Sequence, residues 1–128
     1  MSYAYDSTNI FARILRGEIP CNKLLETEHS LAFHDIRPQA PVHVLVIPKG
    51  PYVTFDHFAM EASVAERADF IGAIGQVCKA MGIQPGEGGT GYRAISNAGD
   101  DGVQEVPHLH VHIMSGRMLG RMVARAPE

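Results

Sequence analysis

The stretch that decides the fold reads His108-Leu109-His110-Val111-His112-Ile113-Met114, with a histidine at every second position. Successive side chains of a strand point to opposite faces of a sheet. The spacing therefore predicts a strand with three imidazoles on one face, each about 6.5–7 Å from the next. The aliphatic residues between them, Leu109, Val111 and Ile113, then form the opposite face, which has the composition of a core. A helix would spread the histidines around its circumference. The pattern indicates a half-buried strand whose other face presents imidazoles to a ligand.

The composition of the whole chain is that of one small globular domain. The 128 residues are 45% hydrophobic and 20% charged, with a formal net charge of −3, which predicts a single domain over residues 1–128. A basic face is needed for broad nucleic-acid binding, so no nucleic-acid partner is expected. No apolar run has membrane-spanning length and residues 1–9 lack the apolar centre of a signal peptide, so we expect a cytoplasmic protein with no membrane partner.

Local patterns predict a chain that alternates short strands with two helices. The predicted elements are a loose N-terminal arm over 1–8, a short helix over 9–16 capped by Thr8 or Ser7, strands over 23–27, 30–36, 42–47 and 91–97, a long helix over 64–81, the histidine strand over 108–114, and a C-terminal tail over 118–128. Residues 51–62 have no clear period and are interpreted as a connector.

The long helix has the clearest local signals. Ser63 and Glu66 form a capping-box pattern at its start, and Gly82 follows its end. Apolar residues at helical spacing predict its buried face, namely Val64, Ala68, Ile71, Ile74 or Gly75, Cys78 and Met81. Cys78, on this stripe, is expected to be a packing residue and, like Cys21, a free thiol.

Four polar residues are candidates for a site, and each has a structural alternative. Asp35 ends an apolar strand, where its carboxylate either accepts from a ribose hydroxyl pair or caps the turn before Arg37. His43 interrupts the most apolar strand, either as a hydrogen-bonded core residue or as a partner of the histidine cluster. Asn97 and Gln104 lie in the loop before the histidine strand, as ligand donors or as turn residues.

Two chemistries compete for the histidine face. Histidines at i and i+2 are known metal-ligand spacing, although the outer pair of three is roughly 13 Å apart, too far for a single ion. Two of them together with His43 or a carboxylate would still suffice. The alternative is nucleophilic attack on phosphorus. Neutral imidazole is nucleophilic near pH 7, crowded imidazoles resist simultaneous protonation, and a flanking histidine can donate to phosphoryl oxygens. The pattern slightly favours phosphorus chemistry.

The histidine stretch resembles the His-φ-His-φ-His-φ-φ signature of the histidine triad (HIT) nucleotide-binding family. Other segments resemble its Hint branch: Ile10-Phe11, Gly17-Glu18-Ile19-Pro20, Leu31–Ile36, Pro38–Pro41, His43–Lys49 and Ser115-Gly116-Arg117. The resemblance implies an α+β, HIT-like fold, a five-stranded antiparallel sheet with one long and one short helix, paired in a homodimer. It also implies hydrolysis of purine nucleoside phosphoramidates, of the adenosine 5′-monophosphoramidate or aminoacyl-adenylate type, to AMP or GMP with no metal or other cofactor.

Roles carry over by resemblance to matching positions. His110 resembles the nucleophile that forms a nucleotidyl-histidine intermediate, and His112 the residue that contacts the α-phosphate. His108 resembles the residue whose carbonyl fixes the nucleophile's tautomer, and His43 a further supporting histidine. Substrate contacts implied in the same way are Asp35 to the ribose, Ile10, Phe11, Ile14, Phe33, Ile36 and Leu45 around base and sugar, and Asn97 and Gln104 to sugar and phosphate.

The chain departs from the Hint pattern at two positions near the implied phosphate. Glu105 stands where Hint proteins place a hydroxyl residue, and Val103 where a glycine often supplies a backbone contact. Both bear on the leaving group rather than on the nucleophile. The alternative functions are a dinucleoside polyphosphate hydrolase of the Fhit-like branch and a nucleotide-binding interaction protein whose catalysis is incidental.

Overall fold

The computed structural model describes residues 3–124. Its elements are α1 (Ile10–Leu15), β1 (Asn22–Glu26), β2 (Ser30–His34), β3 (Val42–Pro48), α2 (Phe55–Glu61), α3 (Val64–Ala80), a 3-10 turn (Pro85–Glu87), β4 (Arg93–Ser96) and β5 (Val111–Ser115). The strands form one sheet in the order β1-β2-β3-β5-β4, and every neighbouring pair is antiparallel. The predicted five-stranded antiparallel α+β fold is confirmed. Residues 1–2 of the predicted arm and 125–128 of the predicted tail lie outside the described residues.

The sheet carries an apolar layer on each face, and α3 covers only one of them. On the α3 face, strand residues that include Val44, Val46 and Ile113 pack with Phe70 and Val77 of the helix. The other face carries a smaller cluster, formed by Phe11, Leu31, Phe33, Leu45 and Ile47. Because α1 has only six residues, it covers part of this second face and leaves room for a cavity. Within residues 3–124, no helix has the length and apolar character needed to cross a bilayer.

The predicted alternation of faces in the histidine stretch is confirmed, but the predicted start of the strand is wrong. Leu109, Val111 and Ile113 all lie in the core beneath α3, as predicted. The strand, however, begins only at Val111, so the prediction of one strand over 108–114 is wrong at its start. The ladder pairs Val46 with Val111, and the register would next place Pro48 opposite Leu109. Proline has no N–H to donate, and the Leu109 N–H instead donates to the Tyr52 carbonyl at 2.8 Å.

Two predictions about helices are corrected. Residues 51–62 contain α2, capped by Thr54, whose hydroxyl accepts from the His57 N–H. Seven residues are too few for a helical period to be visible in sequence. In α3, the capping box is confirmed, but the buried face is set by Phe70, Ala73, Val77 and Cys78. Cys78 is buried and Ile74 and Met81 pack against the core, as predicted. Val64 and Ile71, however, are 74% and 60% exposed, so the predicted buried face is wrong in the first half of the helix.

The N-terminal residues are organised by contacts that the sequence did not predict. Asn9, rather than Thr8 or Ser7, caps α1, and its side-chain oxygen accepts from the Phe11 and Ala12 N–H groups at 2.9 Å each. In the arm expected to be loose, the Tyr3 ring stacks on His57 with 4.7 Å between centroids. The Tyr5 hydroxyl contacts His108. The described part of the arm therefore lies against the domain.

Candidate active site

A cavity of about 490 Å³ opens on the α1 face of the sheet, between α1, the end of β2 and the loop that precedes β5. Its volume lies in the range of small-molecule sites, about 300–1,000 Å³. Of the residues proposed for a site from sequence, the cavity brings together Ile10, Phe11, Ile14, Phe33, Asp35, Ile36, Leu45, Asn97, Glu105, His110 and His112. One wall is thus apolar, and the other carries imidazole, amide and carboxylate groups.

His110 presents an unprotonated ring nitrogen to this cavity. Its Nδ1 lies 2.7 Å from the carbonyl oxygen of His108, and because a carbonyl only accepts, Nδ1 must carry the proton. The lone pair is then on Nε2, which has no hydrogen-bond partner among residues 3–124. None of the unpartnered side-chain nitrogens and oxygens in these residues is buried, so Nε2 is accessible from the cavity. Burial lowers the pKa of His110 below its usual value. The ring is therefore neutral and nucleophilic at pH 7.

His112 has the opposite tautomer, which is set by a chain of hydrogen bonds from the backbone. The Gln39 N–H donates to His43 Nδ1 at 3.0 Å, so the proton of a neutral His43 is on Nε2. That N–H donates to His112 Nδ1 at 2.9 Å, which places the His112 proton on Nε2. Burial and the neighbouring His110 lower the pKa of His112 to about 4. His112 is thus a neutral donor beside a neutral nucleophile, with 5.1 Å between the ring centroids.

His43 and His108 support these two rings and do not line the cavity. His108 is fully buried, and its Nε2–H donates to the Pro48 carbonyl at 2.8 Å. Burial lowers the pKa of His108 to about 4, so the ring stays neutral. Of the three histidines predicted to share a ligand-facing surface, only His110 and His112 reach the cavity. His108 acts through its backbone carbonyl.

Asp35 combines the two interpretations that the sequence left open. Its Oδ1 accepts from the Arg37 N–H at 2.8 Å, which is the turn-capping contact. Its Oδ2 lies 3.4 Å from His43 Nε2, and the residue also lines the cavity. One carboxylate oxygen therefore orders the turn after β2, while the other remains next to the ligand space.

Asp35, His43 and His112 also form the most metal-like cluster in the described chain, with one ligand atom from each within 4.8 Å of the others. The hydrogen bonding of His43 opposes that use. The Gln39 N–H occupies the Nδ1 lone pair, so binding a cation at Nε2 would require either loss of this bond or an imidazolate. Metal-binding histidines instead donate their second N–H to an acceptor. The donor set fits a proton-holding chain better than a metal site.

The side chain of Gln104 holds the loop over 97–107 in place through hydrogen bonds to backbone groups. The Gln104 side-chain amide donates to the Val53 and Val106 carbonyls and accepts from the Gly99 N–H. Gln104 does not line the cavity, so the turn interpretation describes its side chain better than the ligand-donor one. Asn97 does line the cavity, as the donor interpretation requires.

Val103 occupies a strained position in the same loop. Its φ is +55°, the one positive value recorded for a non-glycine residue in the described chain, and a β-branched side chain is disfavoured there. We expect Val103→Gly to raise the free energy of unfolding by about 0.5–1 kcal/mol, because relief of about 1–3 kcal/mol of strain outweighs the added entropy of an unfolded glycine. Denaturant unfolding measures the difference.

The matched control for that change is Val123→Gly, at a similarly exposed valine without a positive φ. It is expected to leave the free energy of unfolding unchanged or to lower it slightly. Equal effects of the two substitutions would show that no strain is stored at Val103.

Several cavity residues were not predicted individually. They are Ile19, Pro20, Cys21, His34, Gln39, Gly102 and Val106. Four of these residues lie in the family-like segments but had no role assigned from sequence, namely Ile19, Pro20, His34 and Gln39. Gly102 has a steric reason to be glycine, since a Cβ there would lie 2.6 Å from the Ala98 carbonyl oxygen.

Comparison with known proteins gives the family to which this fold belongs. The HIT domain family model matches residues 16–119. An uncharacterized 13.2 kDa HIT-like protein of Azospirillum brasilense is 56% identical over 125 residues, which cover 98% of this chain and 99% of that protein. A HIT family hydrolase from Legionella pneumophila Philadelphia 1 superposes with a TM-score of 0.74 at 36% identity, covering 84% of this chain and 92% of that one. A histidine triad nucleotide-binding protein from Candida albicans has a TM-score of 0.74 at 28% identity and coverages of 94% and 87%. The chain belongs to the HIT domain family.

Proposed function

We propose that this protein hydrolyses purine nucleoside phosphoramidates, of the adenosine 5′-monophosphoramidate or aminoacyl-adenylate type, through a nucleotidyl-histidine intermediate. One observation carries the proposal: the His110 tautomer leaves Nε2 bare, while the adjacent His112 ring carries its proton on Nε2. A nucleophile and a donor with opposite tautomers, side by side in one cavity, suit attack on phosphorus with a donor to the phosphoryl oxygens.

The first step forms one bond and breaks another. His110 Nε2 attacks the α-phosphorus and the P–N bond breaks, and the leaving nitrogen takes one proton from solvent water and departs as an amine. In an aminoacyl adenylate the P–O bond to the acyl group breaks instead, and the amino acid leaves as a carboxylate without needing a proton. The His112 N–H donates to a non-bridging oxygen, where negative charge is concentrated. The imidazolium that forms keeps its Nδ1–H on the His108 carbonyl. The carboxylates of Asp35 and Glu105 favour that positive charge, since both oppose the lowering of the His110 pKa.

The second step returns the enzyme to its starting state. Water attacks the same phosphorus and gives up one proton to solvent, the bond to His110 Nε2 breaks, and the nucleoside monophosphate is released. The electron pair of the broken bond returns to His110 Nε2, and the tautomer is the starting one because the Nδ1–H was kept throughout. The covalent intermediate divides one difficult displacement into two easier ones.

The remaining lining residues fit a nucleoside monophosphate. Asp35 Oδ2 is free to accept from ribose hydroxyls, and Asn97 offers an amide to the sugar or phosphate. The apolar wall suits a purine face and the sugar, and comprises Ile10, Phe11, Ile14, Phe33, Ile36 and Leu45. Glu105, which is exposed at the cavity wall, disfavours an anionic leaving group and favours an amine.

The alternatives are separated by a substrate panel. We expect kcat/KM to be highest for adenosine phosphoramidates, lower for aminoacyl adenylates, and lowest for dinucleoside polyphosphates, whose extra negative charge meets Glu105. A reversed order would favour a polyphosphate hydrolase. Tight AMP binding without turnover of any of the three classes would favour a nucleotide-binding interaction protein.

We further propose that the protein acts as a cytoplasmic homodimer. The support for pairing is that β4, over Arg93–Ser96, bonds only to β5 within the described sheet, so its other edge has unpaired backbone groups. Such edges are commonly covered in native proteins. Light scattering in solution tests the dimer.

Metal removal should leave the activity unchanged. The proposed steps use only imidazole and carboxylate groups, and His43 lacks a free lone pair for a cation. We expect kcat and KM to be the same before and after dialysis against EDTA. A loss of activity that zinc restores would show that Asp35, His43 and His112 hold an ion after all.

A further inference from the structure

The N-terminal arm places the hydroxyl of Tyr5 against the buried ring of His108. The Tyr5 oxygen lies 2.6 Å from His108 Nδ1, and the two rings meet edge to face with centroids 5.6 Å apart. Tyr5 is half-buried, whereas His108 is fully buried. More than a hundred positions of sequence separate the two residues, so this contact follows from the fold and not from local chain geometry.

The direction of this hydrogen bond follows from the other side of the ring. His108 Nε2 lies 2.8 Å from the Pro48 carbonyl, so Nε2 carries the proton and donates it. A neutral His108 then has its lone pair on Nδ1. Tyr5 must therefore be the donor, and its hydroxyl is the partner of this nitrogen in the described chain.

His108 is the residue that fixes the tautomer of the nucleophile. Its carbonyl oxygen accepts from the His110 Nδ1–H at 2.7 Å, and its own N–H donates to the Val106 carbonyl at 2.8 Å. The ring is held at both nitrogens, by Tyr5 and by Pro48. Rotation or tautomer exchange of the His108 ring would displace the peptide group on which His110 depends.

We propose that Tyr5 is a positioning residue, whose hydroxyl donates to His108 Nδ1 and so keeps the His108 carbonyl in place to hold His110 with a bare Nε2. The kinetic consequence rests on the proposed function, whereas the hydrogen-bond chain does not. Without the hydroxyl, a buried acceptor is left unpaired, and the ring is expected to reorient or admit water.

The same arm supplies a matched control. Tyr3 stacks on His57, and its hydroxyl donates to Asp56 Oδ2 at 2.5 Å, at the start of α2. Ala4 between the two tyrosines is exposed, so both tyrosines point toward the domain. Tyr3→Phe removes a hydroxyl that makes no contact with His108, while Tyr5→Phe removes the hydroxyl that is bonded to His108.

The experiment measures ring tautomers and steady-state kinetics on the full-length protein. The ring nitrogen shifts of His110, from 15N-edited NMR, report which nitrogen is protonated. We expect a pure Nδ1–H tautomer in the wild type and in Tyr3→Phe, and a mixture of tautomers in Tyr5→Phe. In parallel, kcat of Tyr5→Phe should fall about tenfold with KM nearly unchanged, since a small misplacement of a nucleophile affects chemistry more than binding.

Two results would overturn the inference. One is an unchanged His110 tautomer with unchanged kcat in Tyr5→Phe. The other is an equal loss of kcat in Tyr3→Phe and Tyr5→Phe, which would assign the effect to arm packing in general. If the wild type had no phosphoramidase activity but Tyr5→Phe still altered the His110 tautomer, the proposed function would fail while the positioning role would stand.

Discussion

His110→Ala is expected to lower the turnover of an adenosine phosphoramidate by about four orders of magnitude or more, because no covalent intermediate can form without Nε2. The neighbouring groups cannot replace it. The His112 lone pair is on Nδ1, where it accepts from His43, and the His43 lone pair accepts from the Gln39 N–H. Of the two histidines of the 108–112 stretch that line the cavity, His110 is thus the one whose tautomer leaves a lone pair free for attack.

The same variant should retain AMP affinity, measured by calorimetry, because the apolar wall and Asp35 are untouched. The matched control is His29→Ala, which removes an imidazole outside the cavity, near the turn between β1 and β2. It should leave kcat and KM unchanged. Turnover of His110→Ala close to that of His29→Ala would exclude His110 as the nucleophile.

His112→Ala is expected to have the second largest effect, a decrease in kcat of about 10²–10³-fold. The variant removes the Nε2–H donor aimed at the phosphoryl oxygens but keeps the nucleophile. Rapid-quench kinetics should show that formation of the intermediate has become slow. The fold should persist, since Asp35 Oδ2 lies 3.4 Å from His43 Nε2 and can accept the hydrogen bond that His112 no longer accepts.

A second variant separates the two contributions of His112. Asparagine at 112 retains an N–H donor on a shorter side chain, so His112→Asn should recover part of the kcat lost in His112→Ala. If both variants turned over substrate at the wild-type rate, His112 would have no role in stabilising the transition state.

The sheet was predictable from sequence because each strand carries its own signal. Alternation around Leu109, Val111 and Ile113 identified the core face of β5, and the apolar run over 42–47 identified a central strand. The boundary of β5 was not predictable in the same way. It depends on the backbone groups that Pro48 and Tyr52 present to residues 108–110. These groups meet only when the sheet has assembled.

Periodicity failed where the apolar residues do not mark one face. In α3, Val64 and Ile71 are apolar yet exposed, while Phe70 and Ala73 are buried. Apolar residues therefore lie on two faces of the helix, and the spacing alone did not show which face is buried. The helix α2 is shorter than two full turns. These errors come from tertiary packing, which decides the buried face when local sequence does not.

Some site residues could be predicted from the residue pattern itself, and others only from the resemblance to the HIT family. Alternation alone grouped His110 with His112, and position alone nominated Asp35. The roles of Ile10 and Ile14 at the cavity came from family motifs. The tautomers of His110 and His112 were out of reach of residue patterns, because they depend on the Gln39 N–H and on the distances that join the rings. The contact of Tyr5 with His108 had no sequence signal.

The most direct test is to isolate the covalent intermediate. Adenosine phosphoramidate is mixed with a slight excess of enzyme, the reaction is stopped within milliseconds by alkaline denaturation, and the digest is analysed by mass spectrometry. The prediction is one adenylyl group on the peptide that contains His110, attached at Nε2, and no adduct in His110→Ala. An adduct on another residue, or full turnover with no adduct at any time, would contradict the proposal that His110 attacks phosphorus.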